Sequence, residues 1–273
     1  MLCCMKQVFL SAALCALAGT ALGEVPSDLV TATVLPGWQM EGGNHMAALE
    51  LVLAPGWKTY WRAPGDAGIP PVFDWAGSRN IADVRLHWPR PDVFETSGMQ
   101  TIGYHDRLVL PFEVFATTAG EPVHVALQVD LGVCSDICVP ASITVSADLQ
   151  GVLPPGGARH AAIKQALADQ PGHAGSAGMT SLACDVTPID DGLRVTARLT
   201  MPPIGAVETV VLESQQSGVW VSEALTVRRG DQLVATVDMV NGQNGPFLFE
   251  RDRVRVTVLA GPTAVEVQGC PAG

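Results

Sequence analysis

No run of lysines or arginines occurs in this sequence of 273 residues. Its 16 basic side chains stand against 27 acidic ones, a formal charge of −11. A chain of that balance offers no electrostatic footing for a phosphate backbone or an anionic bilayer, so nucleic acid is not an expected partner. Aromatics are scarce at 5%. Beyond residue 23 no segment is long and apolar enough to span a bilayer, and the mature protein is expected to be soluble. No His-x-x-His pair and no Met-rich repeat is present, so there is no dedicated metal motif and no cofactor is expected. The one glycine cluster that might cradle phosphate, Gly65-Asp66-Ala67-Gly68, reads as a loop.

Residues 1–23 have the form of a secretory leader. Lys6 gives a positive start, Val8 to Leu22 is apolar, and Ala21-Leu22-Gly23 resembles a small-x-small cleavage site. Removing that leader takes away Cys3, Cys4 and Cys15 and leaves four cysteines, Cys134, Cys138, Cys184 and Cys270. An even number in an oxidising compartment implies two bridges. Three pairings are open, and the reading adopted joins neighbours: Cys134 with Cys138, and Cys184 with Cys270.

The first pair constrains the backbone. Four extended steps cover roughly 13 Å, whereas bridged cysteines need Cα atoms within about 7 Å. The chain must fold back between them, and Ser135-Asp136 suits the turn because short polar side chains bond their own backbone. Pro140 is expected to end the ladder just after it.

Short β-prone runs separated by Gly, Pro and Asp fill the first half. Strands are predicted over Asp28–Gln39, Met46–Leu53, Pro71–Trp75, Ile81–Trp88, Leu108–Phe115, Pro122–Leu131 and Ile143–Leu149, with Pro89–Gly103 as an irregular loop carrying Phe94 and Met99. Leu153-Pro154-Pro155-Gly156-Gly157 marks a boundary, Ala158–Gln170 a helix, and Pro171–Thr180 a small-residue linker. Seven further strands follow in about 90 residues, the size of an immunoglobulin-like domain. The expected fold is all-β: two immunoglobulin-like β-sandwich domains joined by a short helical linker. The expected boundaries are 24–152 for the first domain, 153–180 for the linker and 181–273 for the second domain.

Three motifs in order carry a family resemblance: Gly56-Trp57-Lys58-Thr59-Tyr60-Trp61, then Tyr104-His105-Asp106-Arg107-Leu108-Val109-Leu110-Pro111, then the cysteine pair with Pro140. Together they resemble the periplasmic N-terminal domain of the thiol:disulfide interchange protein DsbD. Arg253-Val254-Arg255-Val256-Thr257-Val258 and Gly269-Cys270 resemble the extra domain of its ScsB-like relatives. The resemblance implies a periplasmic protein-disulfide reductase whose Cys134 and Cys138 are catalytic. Such a protein takes electrons from a membrane-embedded thiol reductase of the DsbD or CcdA kind and passes them to periplasmic thioredoxin-fold or other disulfide proteins. It also implies a covering loop over Asp92 to Gly103, with Phe94 or Met99 as the cap and with Tyr60 and Tyr104 lining the site. By family position Cys138 is the attacking thiol. The cysteine spacing is shorter than in the best-known DsbD domain, and no membrane reductase segment or thioredoxin-like domain is read in these residues.

Loop-closure entropy separates the two bridges, at about 2 kcal/mol for the short loop and about 4.5 kcal/mol for the long one. The long bridge, Cys184–Cys270, is read as a structural staple and the short one as redox-active. Asp130 and Asp136, with no cation nearby in sequence, are expected to raise a thiolate's pKa and give a couple more reducing than DsbA. Two rivals use the same residues differently. One is a copper site adding His105, Met99, Met46 or His45 to the pair. The other is a non-catalytic two-domain binding module, in which the second domain orients the first or binds a partner.

Overall fold

The structure is a computed structural model. It describes residues 29–40, 42–65, 67–96, 98–149, 156–242 and 247–273. The predicted leader and the 153–155 part of the predicted boundary lie outside the described residues.

The strands, in chain order, are Val30–Gln39 (β1), His45–Leu53 (β2), Lys58–Tyr60 (β3), Val72–Asp74 (β4), Asp83–Leu86 (β5), Asp92–Thr96 (β6), Met99–His105 (β7), Arg107–Phe115 (β8), Val123–Cys134 (β9) and Cys138–Leu149 (β10). The helix Ala158–Ala168 (α1) follows. Then come Gly172–His173 (β11), Ser181–Ile189 (β12), Gly192–Thr200 (β13), Thr209–Ser214 (β14), Val219–Val221 (β15), Leu225–Arg229 (β16), Gln232–Asn241 (β17), Val254–Ala260 (β18) and Thr263–Gln268 (β19). The first ten form two facing sheets, β1-β2-β8-β5 and β10-β9-β3-β7-β6, with β4 also pairing β9. The last nine form β11-β19-β18-β14 and β12-β13-β17-β15, with β16 also on β17. The fold is thus all-β, in two immunoglobulin-like sandwiches.

Side-chain alternation builds both cores. Along β9, Val123, Val125, Leu127, Val129, Leu131 and Val133 are all buried, while Gln128 and Asp130 point outward. That period of two is what a half-buried strand requires. The second core repeats the pattern with Val195, Ala197 and Leu199 on β13 and Leu233, Ala235, Val237 and Met239 on β17. The two cores abut, since Leu259 and Ala264 of the second sandwich belong to the buried cluster of the first.

Three local expectations change. Pro89–Gly103 is not an irregular loop: its second part is the β6–β7 hairpin, paired from Asp92 with Gly103 to Thr96 with Met99. Pro140 does not end a ladder; it lies inside β10 opposite Gly132. β10 is an edge strand, where a missing N–H costs little. The predicted small-residue linker contains β11, which pairs in parallel with β19, and a 3-10 turn at Ala174–Ala177. The expected helix is present as α1, and it buries Ile163 against Leu35, Met46 and Ala48 on the outer face of the first sandwich.

Candidate redox site

Cys134 closes β9 and Cys138 opens β10, so the two stand opposite each other at the tip of a ladder that runs without a break to Val123 and Leu149. Ser135, Asp136 and Ile137 make the turn, closed by the Ser135 N–H donating to the Ile137 carbonyl at 3.0 Å. The two cysteines form a disulfide with a Cα separation of 4.1 Å. Cys134 is buried at 1% exposure, whereas Cys138 is exposed.

Tyr60 reaches this pair from 74 residues earlier in the chain. Its hydroxyl lies 2.9 Å from Cys134 Sγ and 3.3 Å from Cys138 Sγ. Burial pushes that hydroxyl above the ordinary tyrosine pKa, so it stays protonated and able to donate. The ring passes over Gly132, where an added Cβ would stand 3.1 and 3.2 Å from two ring carbons and 3.0 Å from Ile69 Cβ. Glycine at this position is therefore what lets Tyr60 lie flat toward the sulfurs.

Lys58 also belongs to this neighbourhood. Its backbone is in register with Cys134 on one side and with His105 on the other. One row across the sheet therefore reads Cys138, Cys134, Lys58, His105. The Lys58 side chain is buried, donates to Thr101 Oγ1 at 3.2 Å and places its ammonium 5.2 Å from the Phe94 ring centre. Burial pulls its pKa below the usual lysine value. Phe94 packs edge-on against His105, with ring centres 4.2 Å apart. Phe94 thus meets the far end of the row that begins at the disulfide.

The other expected lining residues lie elsewhere. Met99 stands at the tip of the β6–β7 hairpin, 51% exposed, away from that packing. Tyr104 faces the opposite side of β7. Its buried hydroxyl donates to the Pro89 carbonyl at 2.8 Å and its ring stacks on Trp88, so it is spent on the core rather than on the sulfurs. The motif residues between β7 and β8 shape a corner. Asp106 takes a positive φ of 56° there, and Arg107 pairs with Glu50 at 2.6 Å. The copper ligands do not converge. His45 and Met46 are buried on β2 of the facing sheet, and among the described residues no three of His, Cys, Asp and Glu gather around one point.

Asp130 and Asp136 are both exposed, where water and salt screen them. The group placed at the pair is the Tyr60 phenol; the Lys58 backbone lies one strand over, and its ammonium is directed to Thr101 and Phe94. Lys58 was missed because no cation lies near the cysteines in sequence. Its one signal was a lysine inside an otherwise aromatic β segment, since buried lysines are rare without a partner.

The second disulfide joins Cys184 on β12 to Cys270 just beyond β19, with Cα atoms 5.5 Å apart and both residues 1% exposed. Arg251 donates to the carbonyls of both, at 3.0 Å each. It closes the second core and lies in neither sheet of the first sandwich.

Comparison with known proteins agrees with this geometry. Residues 31–149 match the family described as "Thiol:disulfide interchange protein DsbD, N-terminal". No curated protein matches the sequence. The fold is similar to the crystal structure of the N-terminal periplasmic domain of ScsB from Proteus mirabilis, with a TM-score of 0.65 and 24% identity over 89% of this chain and 92% of that one. Among the described residues, no helix is long and apolar enough to cross a membrane. The matched residues, 31–149, are the ones that carry the disulfide hairpin and Tyr60, so it is the first sandwich that is similar to the N-terminal domain of the thiol:disulfide interchange protein DsbD.

Proposed function

We propose that this chain is a periplasmic thiol–disulfide exchange protein. It accepts two electrons from a membrane-embedded thiol reductase and delivers them to disulfide-bearing periplasmic proteins. The observation that carries this reading is the asymmetry of the pair: one sulfur exposed, its partner buried, with the Tyr60 hydroxyl beside both.

Exchange requires a thiolate to approach along the axis of the S–S bond. A donor thiolate attacks Cys138 Sγ, and the Cys134 sulfur departs with the bonding pair, accepting a hydrogen bond from Tyr60. The donor's second thiolate then attacks its own sulfur in the mixed disulfide. This leaves the donor oxidised and Cys134 and Cys138 as a dithiol. Delivery runs in reverse: Cys138 thiolate attacks the acceptor disulfide, Cys134 thiolate attacks Cys138 Sγ, and the acceptor leaves as a dithiol. Phe94, held by Lys58 and His105, acts as the cap. The leader-like sequence of residues 1–23 and the similarity to the periplasmic domain of ScsB support the location.

A Cys134→Ser variant keeps the attacking thiol but removes the one that resolves the mixed disulfide. Expressed with its leader, it is expected to accumulate a reductant-sensitive adduct through Cys138, whose partner mass spectrometry identifies. Accumulation only in Cys138→Ser would reverse the roles, and adducts in neither variant would count against exchange altogether.

A further inference from the structure

We infer that the second sandwich is a positioning element for the redox site and that it acts on Tyr60 through Arg62. The inference rests on the exchange reading above and gives the second sandwich a part in it. Tyr60 ends β3, a strand of only three residues, so its placement depends on the residues that follow. Trp61 is fully buried in the first core and its backbone N–H donates to the Ile102 carbonyl at 3.0 Å. Arg62 then leaves the first sandwich altogether. Its Nε and Nη2 donate to the two carboxylate oxygens of Glu213 on β14 at 2.8 and 3.0 Å, and Nη2 also donates to Glu266 Oε2 on β19 at 2.5 Å. The guanidinium lies 4.1 Å from the Trp61 ring centre. A forked pair of this kind fixes direction as well as distance, because the planar guanidinium matches a carboxylate in one orientation.

The carboxylates are themselves held. Glu266 accepts from Thr257 Oγ1 at 3.3 Å and pairs with Arg255 at 3.5 Å. The loop after Arg62 returns to the Tyr60 ring, where a Cβ added at Gly68 would stand 2.9 Å from Cδ1. Tyr60 is therefore bounded on its exit side by a segment that the second sandwich grips. A parallel tie reaches the capping strand. Arg90 Nη1 donates to the Gly261 carbonyl in the β18–β19 turn at 3.0 Å and to Asp92 Oδ1 at 3.2 Å, and Asp92 opens the strand that carries Phe94. Both aromatic residues assigned to the site thus sit on segments anchored to the same sheet of the second sandwich.

The test is a double-mutant cycle on the full chain. Glu213→Gln/Glu266→Gln is made in the native and in the Tyr60→Phe background. The readouts are the equilibrium of Cys134/Cys138 with glutathione redox buffer and the pH profile of Cys138 alkylation in the reduced protein. The double substitution is expected to shift the equilibrium constant by about two- to tenfold, the scale of one weakened hydrogen bond, and to move the alkylation profile. In Tyr60→Phe it is expected to change neither, because the route runs through the hydroxyl. An equal shift in both backgrounds, or none in the native one, overturns the inference. Should the double variant not melt cooperatively, Arg62→Lys, which keeps the charge but loses the fork, is compared in the same two backgrounds under the same criterion. A native pair that never equilibrates with glutathione is a separate result, which overturns the exchange reading and this inference with it.

Discussion

Replacing Tyr60 with phenylalanine removes one oxygen and leaves the ring over Gly132. The hydroxyl lies within hydrogen-bond reach of both sulfurs in the disulfide, so it acts on oxidised and reduced forms, but not equally. A bond donated to a thiolate contributes about 2 kcal/mol and one to a neutral sulfur about 1 kcal/mol or less. The difference, about 1 kcal/mol, favours the reduced form. Losing it makes the couple more reducing by about 20 mV and raises the affected thiol's pKa by about 0.7 unit. The full effect is read at about pH 9, above an ordinary cysteine pKa. There the hydroxyl in the native protein is still protonated, because burial raises its own pKa. The assay equilibrates native and Tyr60→Phe protein with dithiothreitol redox buffers, quenches with an alkylating mass tag and counts tagged Cys134 and Cys138. A Phe variant that melts like the native protein and shows the same potential and the same alkylation profile would refute the role given to this hydroxyl.

Three further outcomes follow from contacts elsewhere. Gly132→Ala places a methyl against Ile69 and the Tyr60 ring; it is expected to cost about 1–3 kcal/mol in urea unfolding and to shift the potential in the same direction as Tyr60→Phe, and a neutral result in both would show that the ring has room to move. Cys184→Ser/Cys270→Ser is expected to lose about 4.5 kcal/mol against about 2 kcal/mol for Cys134→Ser/Cys138→Ser, and equal losses in chemical unfolding would contradict the division of labour between the two bridges. Arg194 donates to both oxygens of Asp238 at 2.7 and 2.8 Å and holds that carboxyl below its usual pKa. The stability it adds is present above about pH 4, the unfolded value, and is lost as pH falls through the lower folded one. The pair is largely solvent-exposed, so the effect is small, and Arg194→Met should flatten the acid limb of a pH–stability curve, with an unchanged slope as the contrary result.

The strands that alternate cleanly were legible from the chain alone. β9 is the clearest, because every second residue from Val123 to Val133 is apolar and buried. The β6–β7 hairpin was not legible, because Pro89, Pro91, Gly98 and Gly103 punctuate it. What overrides those signals is tertiary: β3 supplies ladder partners to β7, including Tyr60 opposite Gly103. The turn between the cysteines was legible from chain geometry, since two bridged residues at that spacing leave no other course. The environment of the sulfurs was not. Tyr60 and Lys58 approach from more than 70 residues away, and local sequence carries no direction for such a contact. Asp130 and Asp136 are close to the cysteines in sequence, yet both project into water. Tyr104 illustrates the same limit within one strand: pairing puts it beside β3, but alternation turns it to the other face.

On the exchange reading proposed above, one chain keeps a labile bond at Cys134–Cys138 and a permanent one at Cys184–Cys270. Opening Cys134–Cys138 cuts a link between residues already held opposite each other by the backbone ladder that continues to Val123 and Leu149. The entropy released is small because the loop is short, and the hairpin has no reason to unzip. Reduced, the two thiols stay facing each other, which is what a carrier needs if it is to re-form the bond when it hands on its electrons. Cys184–Cys270 is the reverse case. It spans 86 residues, both sulfurs are shut in the second core, and the chain beyond Cys270 is tied back through the Cys184 N–H to the Pro271 carbonyl. Opening it releases the segment after Cys270 and breaches a core, so reduction there is coupled to loss of structure. A mild reductant is therefore expected to discriminate between them on two independent grounds: Cys134–Cys138 is the more accessible bridge and the one whose opened state costs less.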